Sequence, residues 1–282
     1  MARIVGGIGI SHSPSMGVEF DRGMTQGWDP RWKLWFDGLQ PVKSWLEEMR
    51  PDHIVIVYND HLNHFTFDAY PTFAAGVAPV FPQADEGWGP RALPDLRGDP
   101  QFGWHMCTEL VAREFDLTVC QEMRLDHGIY SWIPYITDFP RAVPVFPIAV
   151  NMLRFPMPLP ERLRKLGVAI REAVHAYGEG RVVVIATEVC HIRSRGRALE
   201  WPTRKWIVGF CSGSAPISRA SWRFRSPSSS ARGAPMRWSS PCGTRCARLC
   251  HRRSGEFTIT TRFRRSRVAV LSSSRTRRGN HE

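Results

Sequence analysis

The 282-residue chain has a formal net charge of +12, but that charge is unevenly distributed. Residues 1–187 hold 17 Lys and Arg against 22 Asp and Glu, a net of −5, whereas residues 188–282 hold 21 against 4, a net of +17. No apolar run approaches the roughly 20 residues of a membrane span, and the start is a poor secretory signal. Only Cys107 and Cys120 occur before residue 188, which excludes a disulfide framework there and predicts a reducing, cytoplasmic location.

The first 187 residues alternate between strand and helix patterns. Short apolar runs predict strands over 4–10, 53–58, 117–120, 142–150 and 182–187. Helical spacing of apolar residues predicts helices over 30–49, with a kink or break at Pro41, over 102–115 and over 160–177. Two prolines place the 142–150 strand at a sheet edge or a bulge. Helices between strands predict one α/β domain over 1–187, with a mainly parallel or mixed central sheet and helices on both faces.

After Thr187 neither the helical nor the strand pattern of apolar residues continues. The sequence becomes rich in Arg and Ser, with isolated tryptophans between them. One explanation is a basic arm that binds nucleic acid, because clustered cations attract phosphates. Disordered basic arms are poor in bulky apolar residues, however, and residues 188–282 contain four Trp and five Cys. This composition disfavours a nucleic-acid partner.

The other explanation is a gene translated out of frame from about codon 187. When the codons of residues 187–196 are regrouped by one base, they permit Gly-Gly-Val-Ser-His-Pro-Leu-Gln-Gly, which would continue the preceding strand into a glycine turn. Loss of one base would suffice. We therefore predict that residues 188–282 are a frameshifted translation, disordered or non-native.

Histidines follow two of the predicted strands. His12 and His61 each lie two or three residues past a strand, and the carboxyl ends of parallel strands meet at the same edge of a sheet. Two neutral imidazoles there could bind a metal ion, completed by Asp60 or by a distant carboxylate. A zinc-dependent hydrolase that uses His12, Asp60 and His61 is one function of such a site. Ordinary loop histidines are the alternative.

His127 is a third candidate, either a general acid or base or a plain turn residue, because an imidazole exchanges protons near neutral pH. Residues 85–90 have the composition of either a rigid acidic loop or a simple turn, and taken alone they favour the simple turn. The spacing of Cys242, Cys246 and Cys250 matches no paired zinc motif and falls in the suspect tail.

Together, several linked motifs resemble the class III extradiol ring-cleavage dioxygenases, the family of the protocatechuate 4,5-dioxygenase β subunit and of gallate and methylgallate dioxygenases. The motifs are Gly9-Ile10-Ser11-His12-Ser13-Pro14, Tyr58-Asn59-Asp60-His61, Ala84-Asp85-Glu86-Gly87-Trp88-Gly89-Pro90 and Asp126-His127-Gly128. The likeness extends in order and spacing over about residues 1–187, and the regrouped Gly-Gly-Val-Ser-His resembles the family's next motif.

The resemblance implies a mononuclear Fe(II) bound by His12, His61 and a glutamate from the C-terminal third. It implies that His127 is a catalytic residue lying against the substrate and that Asn59 orients that substrate, a catechol acid such as protocatechuate or gallate that is cleaved with O₂. A small α subunit and an oligomer are the implied partners.

Residues 188–282 depart from the sequence pattern of the family. Neither Glu200 nor Glu256 has a matching motif around it. In the family, a histidine of the Ser-His motif is the base for the catechol proton, and His191 lies adjacent to that position but not at it. The chain as translated is therefore predicted to be inactive through loss of its carboxylate ligand.

Overall fold

The structure, a computed structural model, describes residues 1–87, 89–137 and 143–188, together with four short strands farther along the chain. Its helices are α1 (Pro14–Gln26), α2 (Pro30–Asp37), α3 (Gln40–Met49), α4 (Pro100–Ala112), α5 (His127–Tyr130), α6 (Ile133–Ile136) and α7 (Pro160–Ala176). Its strands up to residue 188 are β1 (Arg3–Ser11), β2 (His53–Tyr58), β3 (Phe73–Gly76), β4 (Val80–Phe81), β5 (Leu96–Arg97), β6 (Thr118–Cys120), β7 (Val145–Val150) and β8 (Arg181–Glu188). Within this described part, no helix is both long enough and apolar enough to cross a membrane.

The later strands are β9 (Ile192–Ser194), β10 (Arg197–Leu199), β11 (Thr261–Phe263) and β12 (Ser266–Ser272). The main sheet has the order β11-β12-β1-β8-β2-β7-β3-β6. Strands β1, β8, β2 and β7 run parallel, whereas β3 is antiparallel to β7 and β12 is antiparallel to β1. The predicted class, α/β with a mixed and mostly parallel sheet, is confirmed.

Helices cover both faces of this sheet because successive strand residues point to opposite sides. In β2, Ile54 and Ile56 face a core that contains residues of α1, α2, α3, α5 and α6. Val55 and Val57 face the other core, which is built with α4 and α7. All six residues of β2 are buried, as the continuous apolar run predicted.

Prolines begin helices here rather than ending them. The predicted 30–49 helix is divided into α2 and α3 at Gly38 and Leu39, and Pro41 lies in the first turn of α3. Pro14 lies in the first turn of α1, a helix that the sequence analysis did not predict. The first N–H groups of a helix have no partner within it, so proline costs little at that position.

The prediction that the 142–150 strand lies at an edge or a bulge is wrong. Strand β7 lies inside the sheet between β2 and β3. Pro147 pairs in register with Ile56 of β2, and it lies one residue beyond the last β3 pair, Ala75 with Ile148. The missing N–H therefore falls where the β3 ladder has ended, which is why an internal strand tolerates this proline.

In the C-terminal third, β12 adds a strand beside β1, with residues 268–272 in register with Gly6–Ile10. No strand was predicted there. Apart from β9–β12, residues 189–282 lie outside the described residues, including His191, Glu200, Glu256 and the three spaced cysteines. Trp88, in the segment 85–90, lies outside them too.

Candidate functional site

Two histidines meet at the carboxyl edge of the sheet, as predicted. His12 directly follows β1 and His61 follows β2 by three residues, with β8 between the two strands. Their Nε2 atoms lie 3.2 Å apart, and the His12 side chain is buried. The 49 residues that separate the two histidines in the chain are thus bridged by the parallel sheet.

The spacing of these two nitrogens suits a shared metal ion. Metal–imidazole bonds of about 2.1 Å place two neighbouring ligand nitrogens roughly 3.0–3.4 Å apart in tetrahedral or right-angled coordination. The observed 3.2 Å lies within that range. The pair therefore fits the nitrogen half of a mixed imidazole and carboxylate metal site.

Burial keeps His12 in the form that a metal ligand requires. The pKa of His12 is held well below its usual value, first by burial and then by the neighbouring imidazoles of His61 and His127, whereas Asp126 acts in the opposite direction. Its Nδ1 atom is buried and has no hydrogen-bond partner among the described residues. A neutral imidazole with a lone pair directed at the site is the form that binds a divalent ion.

Asp126 fixes the ring of His61. The fully buried carboxylate accepts a hydrogen bond from the backbone N–H of His61 at 2.6 Å and contacts His61 Nδ1 at 3.0 Å through the same oxygen, Oδ2. An ionised carboxylate only accepts hydrogen bonds, so Nδ1 carries the proton and Nε2 is left to face His12. This carboxylate–imidazole arrangement is the usual support of a metal-ligating histidine.

The charge of Asp126 is stabilised where it lies. Burial acts to raise the pKa of Asp126, but the hydrogen bonds from His61 and the nearby imidazoles outweigh burial and hold this pKa at about 2. Its other oxygen accepts from the backbone N–H of Gly128 at 2.8 Å and caps α5. One buried side chain thus orients His61 and also starts the helix that carries His127.

His127 lies across the same opening. Its ring centroid is 4.1 Å from that of His61 and 5.7 Å from that of His12, and the three imidazoles present nitrogens within 4.8 Å of one another. Its Nδ1 contacts Oε1 of Glu86 at 2.5 Å. The plain-turn alternative for His127 does not account for this pairing with a carboxylate beside two other histidines.

Asn63 joins the two carboxylates. Its Nδ2 lies 3.3 Å from Oε1 of Glu86 and 3.2 Å from Oδ2 of Asp126. Glu86, Asp126 and His127 also present ligand atoms within 4.8 Å of one another. The two carboxylates and the amide therefore form a single polar layer behind His61 and His127.

Asp60 does not join this layer, although it was a candidate ligand. Its carboxylate accepts hydrogen bonds from the backbone N–H groups of Asn63, His64 and Phe65, at 3.0–3.2 Å. Asp60 thus caps the turn after β2, and its pKa is raised by burial and by Asp126. A hydrolase that uses Asp60 as a zinc ligand is not favoured by this geometry.

Asn59 also has a structural partner. The side chain is buried, and its Oδ1 accepts the backbone N–H of Met152 at 3.0 Å, which ties the end of β2 to the loop after β7. Its predicted role in orienting a substrate stays a prediction.

No role was predicted from the sequence for Glu86, Asn63 or Asp126. Glu86 and Asp126 stood inside the quoted motifs, but no local pattern states which histidine each carboxylate contacts. No motif or pattern in the sequence singled out Asn63. The partners in these contacts are 41 and 65 residues apart, so only the folded chain pairs them.

Comparison with protein families decides the membership of the chain. The family described as "Catalytic LigB subunit of aromatic ring-opening dioxygenase" matches residues 6–191, about two thirds of the chain. The chain belongs to this LigB family. The expected resemblance to class III extradiol dioxygenases is thereby confirmed, whereas the individual subunit type is not determined.

Curated relatives share the same N-terminal region. Gallate dioxygenase from Pseudomonas putida is 32% identical over 130 residues, which are 45% of this chain and 38% of that protein. A 2,3-dihydroxyphenylpropionate/2,3-dihydroxicinnamic acid 1,2-dioxygenase from Rhodococcus jostii is 28% identical over 167 residues, which are 58% of this chain and 49% of that protein. A protein of the same name from Azotobacter vinelandii is 30% identical over 53% of this chain and 46% of its own. The matches thus span less than half the length of these relatives.

Proposed function

We propose that this chain is the catalytic chain of an Fe(II)-dependent extradiol dioxygenase that opens the ring of a catechol acid, such as protocatechuate or gallate, with O₂. Membership of the LigB family and the gallate dioxygenase relative support the reaction class. The observation that carries the proposal is the pair of Nε2 atoms of His12 and His61, 3.2 Å apart at the carboxyl edge of the sheet.

In this proposal His12 and His61 hold the iron, and a glutamate encoded in the C-terminal third completes the ligand set. Two imidazoles and one carboxylate on one face would leave open positions on the ion, and bound ferrous iron would supply there the coordination of a catecholate and the activation of O₂. Asp126 keeps the Nε2 lone pair of His61 directed at the site through its contact with Nδ1. His127 lies across the opening and contacts the substrate.

We also propose that residues 188–282 are translated out of frame. The backbone of β8 pairs with β1 as far as Ser11 with Glu188, immediately before His12. Strand β8 therefore ends beside the two proposed ligands. A displaced frame at this point would remove the carboxylate ligand and the base from the site, so we expect the chain as translated to be inactive.

Paired expression tests both proposals. The chain as written and a version with one base restored near codon 187 are each reconstituted anaerobically with ferrous iron and assayed for O₂ uptake with protocatechuate, gallate and 2,3-dihydroxyphenylpropionate. We expect turnover from the restored version alone, and loss of that turnover in His12→Ala and His61→Ala variants. The exposed His175→Ala variant serves as the control.

Each outcome has a distinct meaning. Turnover by the chain as written would refute the displaced frame, whereas turnover by the restored version with zinc in place of iron would refute ferrous chemistry. A restored chain that binds iron yet consumes no O₂ with any of the three catechols would refute the proposed reaction.

The partners and the location are part of the same proposal. We infer a small α subunit that covers the site, an oligomeric assembly and a cytoplasmic location, all from the resemblance. Light scattering after size-exclusion chromatography of the restored chain tests the assembly, and a monomer at all concentrations would contradict it.

A further inference from the structure

Glu86 contacts His127 from inside a tightly built turn. Oδ1 of Asp85 accepts the backbone N–H groups of Gly87 at 2.9 Å and Gly89 at 3.0 Å. Both glycines have positive φ angles, +95° and +81°, which favour glycine over residues with a side chain. The turn directs the Glu86 side chain inward, where it is 13% exposed.

The contact determines which nitrogen of His127 carries the proton. Glu86 Oε1 lies 2.5 Å from His127 Nδ1, and the His127 side chain is 12% exposed. A carboxylate in its ionised form accepts hydrogen bonds only, so in the neutral imidazole paired with it Nδ1 is the protonated nitrogen and Nε2 keeps its lone pair. His127 also presents a ring nitrogen within 4.8 Å of ring nitrogens of His12 and His61.

Asn63 connects this pair to the support of the metal ligand. Its Nδ2 has two N–H donors and lies within 3.3 Å of Glu86 Oε1, Asp126 Oδ2 and the backbone oxygen of His61. The amide places positive N–H dipoles between two neighbouring carboxylates that would otherwise repel one another. Glu86 and Asp126 therefore hold their two histidines as one unit.

We propose that Glu86 is a positioning residue: it fixes the Nδ1–H tautomer and the ring orientation of His127, while Asn63 couples it to the Asp126–His61 pair. The consequence for the site is that His127 presents a hydrogen-bond acceptor, not a donor, to a catechol hydroxyl. This role rests on the proposed function for its purpose, but the tautomer itself is a property of the metal-free chain.

The test reads the tautomer directly. Two-bond ¹H–¹⁵N correlation spectra of the full metal-free chain, with His127 assigned from a His127→Gln variant, distinguish a protonated Nδ1 from a protonated Nε2. We expect a protonated Nδ1 at His127 in the unmodified chain, and a shift towards a mixture of tautomers in both Glu86→Gln and Glu86→Ala. Glu122→Gln, a change at an exposed glutamate, should leave the spectrum unchanged.

A second measurement separates positioning from general stability. Zn²⁺ affinity, measured by competition with a chromophoric chelator, should change by less than about threefold in Glu86→Gln, whereas loss of a partner of a true ligand costs roughly 10–100-fold. The near-isosteric glutamine variant keeps the experiment informative if the alanine variant does not fold.

Three results would overturn the inference. They are a protonated Nε2 at His127 in the unmodified chain, an unchanged tautomer in both Glu86 variants, and a fall in thermal stability without any tautomer shift. None of these depends on turnover, so a failure of the proposed dioxygenase reaction would leave the assignment of Glu86 standing.

Discussion

Oδ2 of Asp126 contacts His61 at two points, the backbone nitrogen at 2.6 Å and the ring Nδ1 at 3.0 Å. Two contacts from one fully buried oxygen fix both the position of the His61 backbone and the rotation of its ring. The Nε2 atom is thereby held 3.2 Å from its counterpart on His12. The geometry of the proposed metal site at this edge of the sheet depends on this one carboxylate.

Replacing Asp126 with asparagine should weaken metal binding. The amide can present its N–H₂ group to His61 Nδ1, which would favour the wrong tautomer, and partners of this kind are worth roughly 10–100-fold in metal affinity. We expect a loss in that range for Zn²⁺ and Co²⁺, measured by competition titration. Asp116→Asn, at an exposed position, is the matched control, and equal affinities in the two variants would contradict the prediction.

Asp126 should also make the stability of the metal-free chain depend on pH. Its pKa is about 2 in the folded chain, below the ordinary aspartate value of 3.8, so folding favours the ionised form. The contribution, roughly 2 kcal/mol, is fully present above about pH 4 and is lost as the pH falls towards 2. Urea unfolding between pH 5 and pH 2 should show this fall, and Asp126→Asn should flatten it. Parallel profiles for the two proteins would disprove the assignment.

Gly128 should not tolerate a side chain. A Cβ atom there would lie 2.8 Å from Oδ1 of Asp126, 3.0 Å from the backbone oxygen of Asn59 and 3.2 Å from a ring carbon of Tyr58. We expect Gly128→Ala to lower the free energy of unfolding by about 1–3 kcal/mol and to weaken metal binding, because relief of the clash displaces Asp126. Gly178→Ala, which meets nothing within 4 Å, is the control. A Gly128→Ala chain as stable as this control would contradict the packing described.

Asn59 should contribute to stability whatever its role towards a substrate. Asn59→Ala leaves the backbone N–H of the half-buried Met152 without its partner, and loss of an intramolecular hydrogen bond costs about 0.5–1.5 kcal/mol. A lower urea midpoint with an unchanged slope is the expected result. An unchanged midpoint would mean that the hydrogen bond does not form in solution.

The sequence alone predicted the strands that carry the two proposed ligands. Their apolar runs are local, and continuous burial of a central strand is visible in the residues themselves, as in β2. The placement of His12 and His61 at one edge followed from the parallel arrangement of the strands. The break predicted at Pro41 is present, since α2 ends at Asp37 and α3 begins at Gln40. Local patterns failed at Pro14 and Pro147, because the effect of a proline depends on which N–H group the surrounding structure requires.

The tertiary structure alone decided which side chains support these histidines. Asp126 and Glu86 reach His61 and His127 from 65 and 41 residues away, and Asp60, adjacent to His61 in sequence, is turned to its own loop. Periodicity reports which face of an element is buried, but the pairing of a carboxylate with an imidazole depends on strand order and loop path. The uneven charge, in contrast, is evident from the sequence alone. It separates a mildly acidic α/β domain from a strongly basic C-terminal third. The fold then places the proposed metal site where the first of these segments ends, because β8 lies between the two strands that His12 and His61 follow.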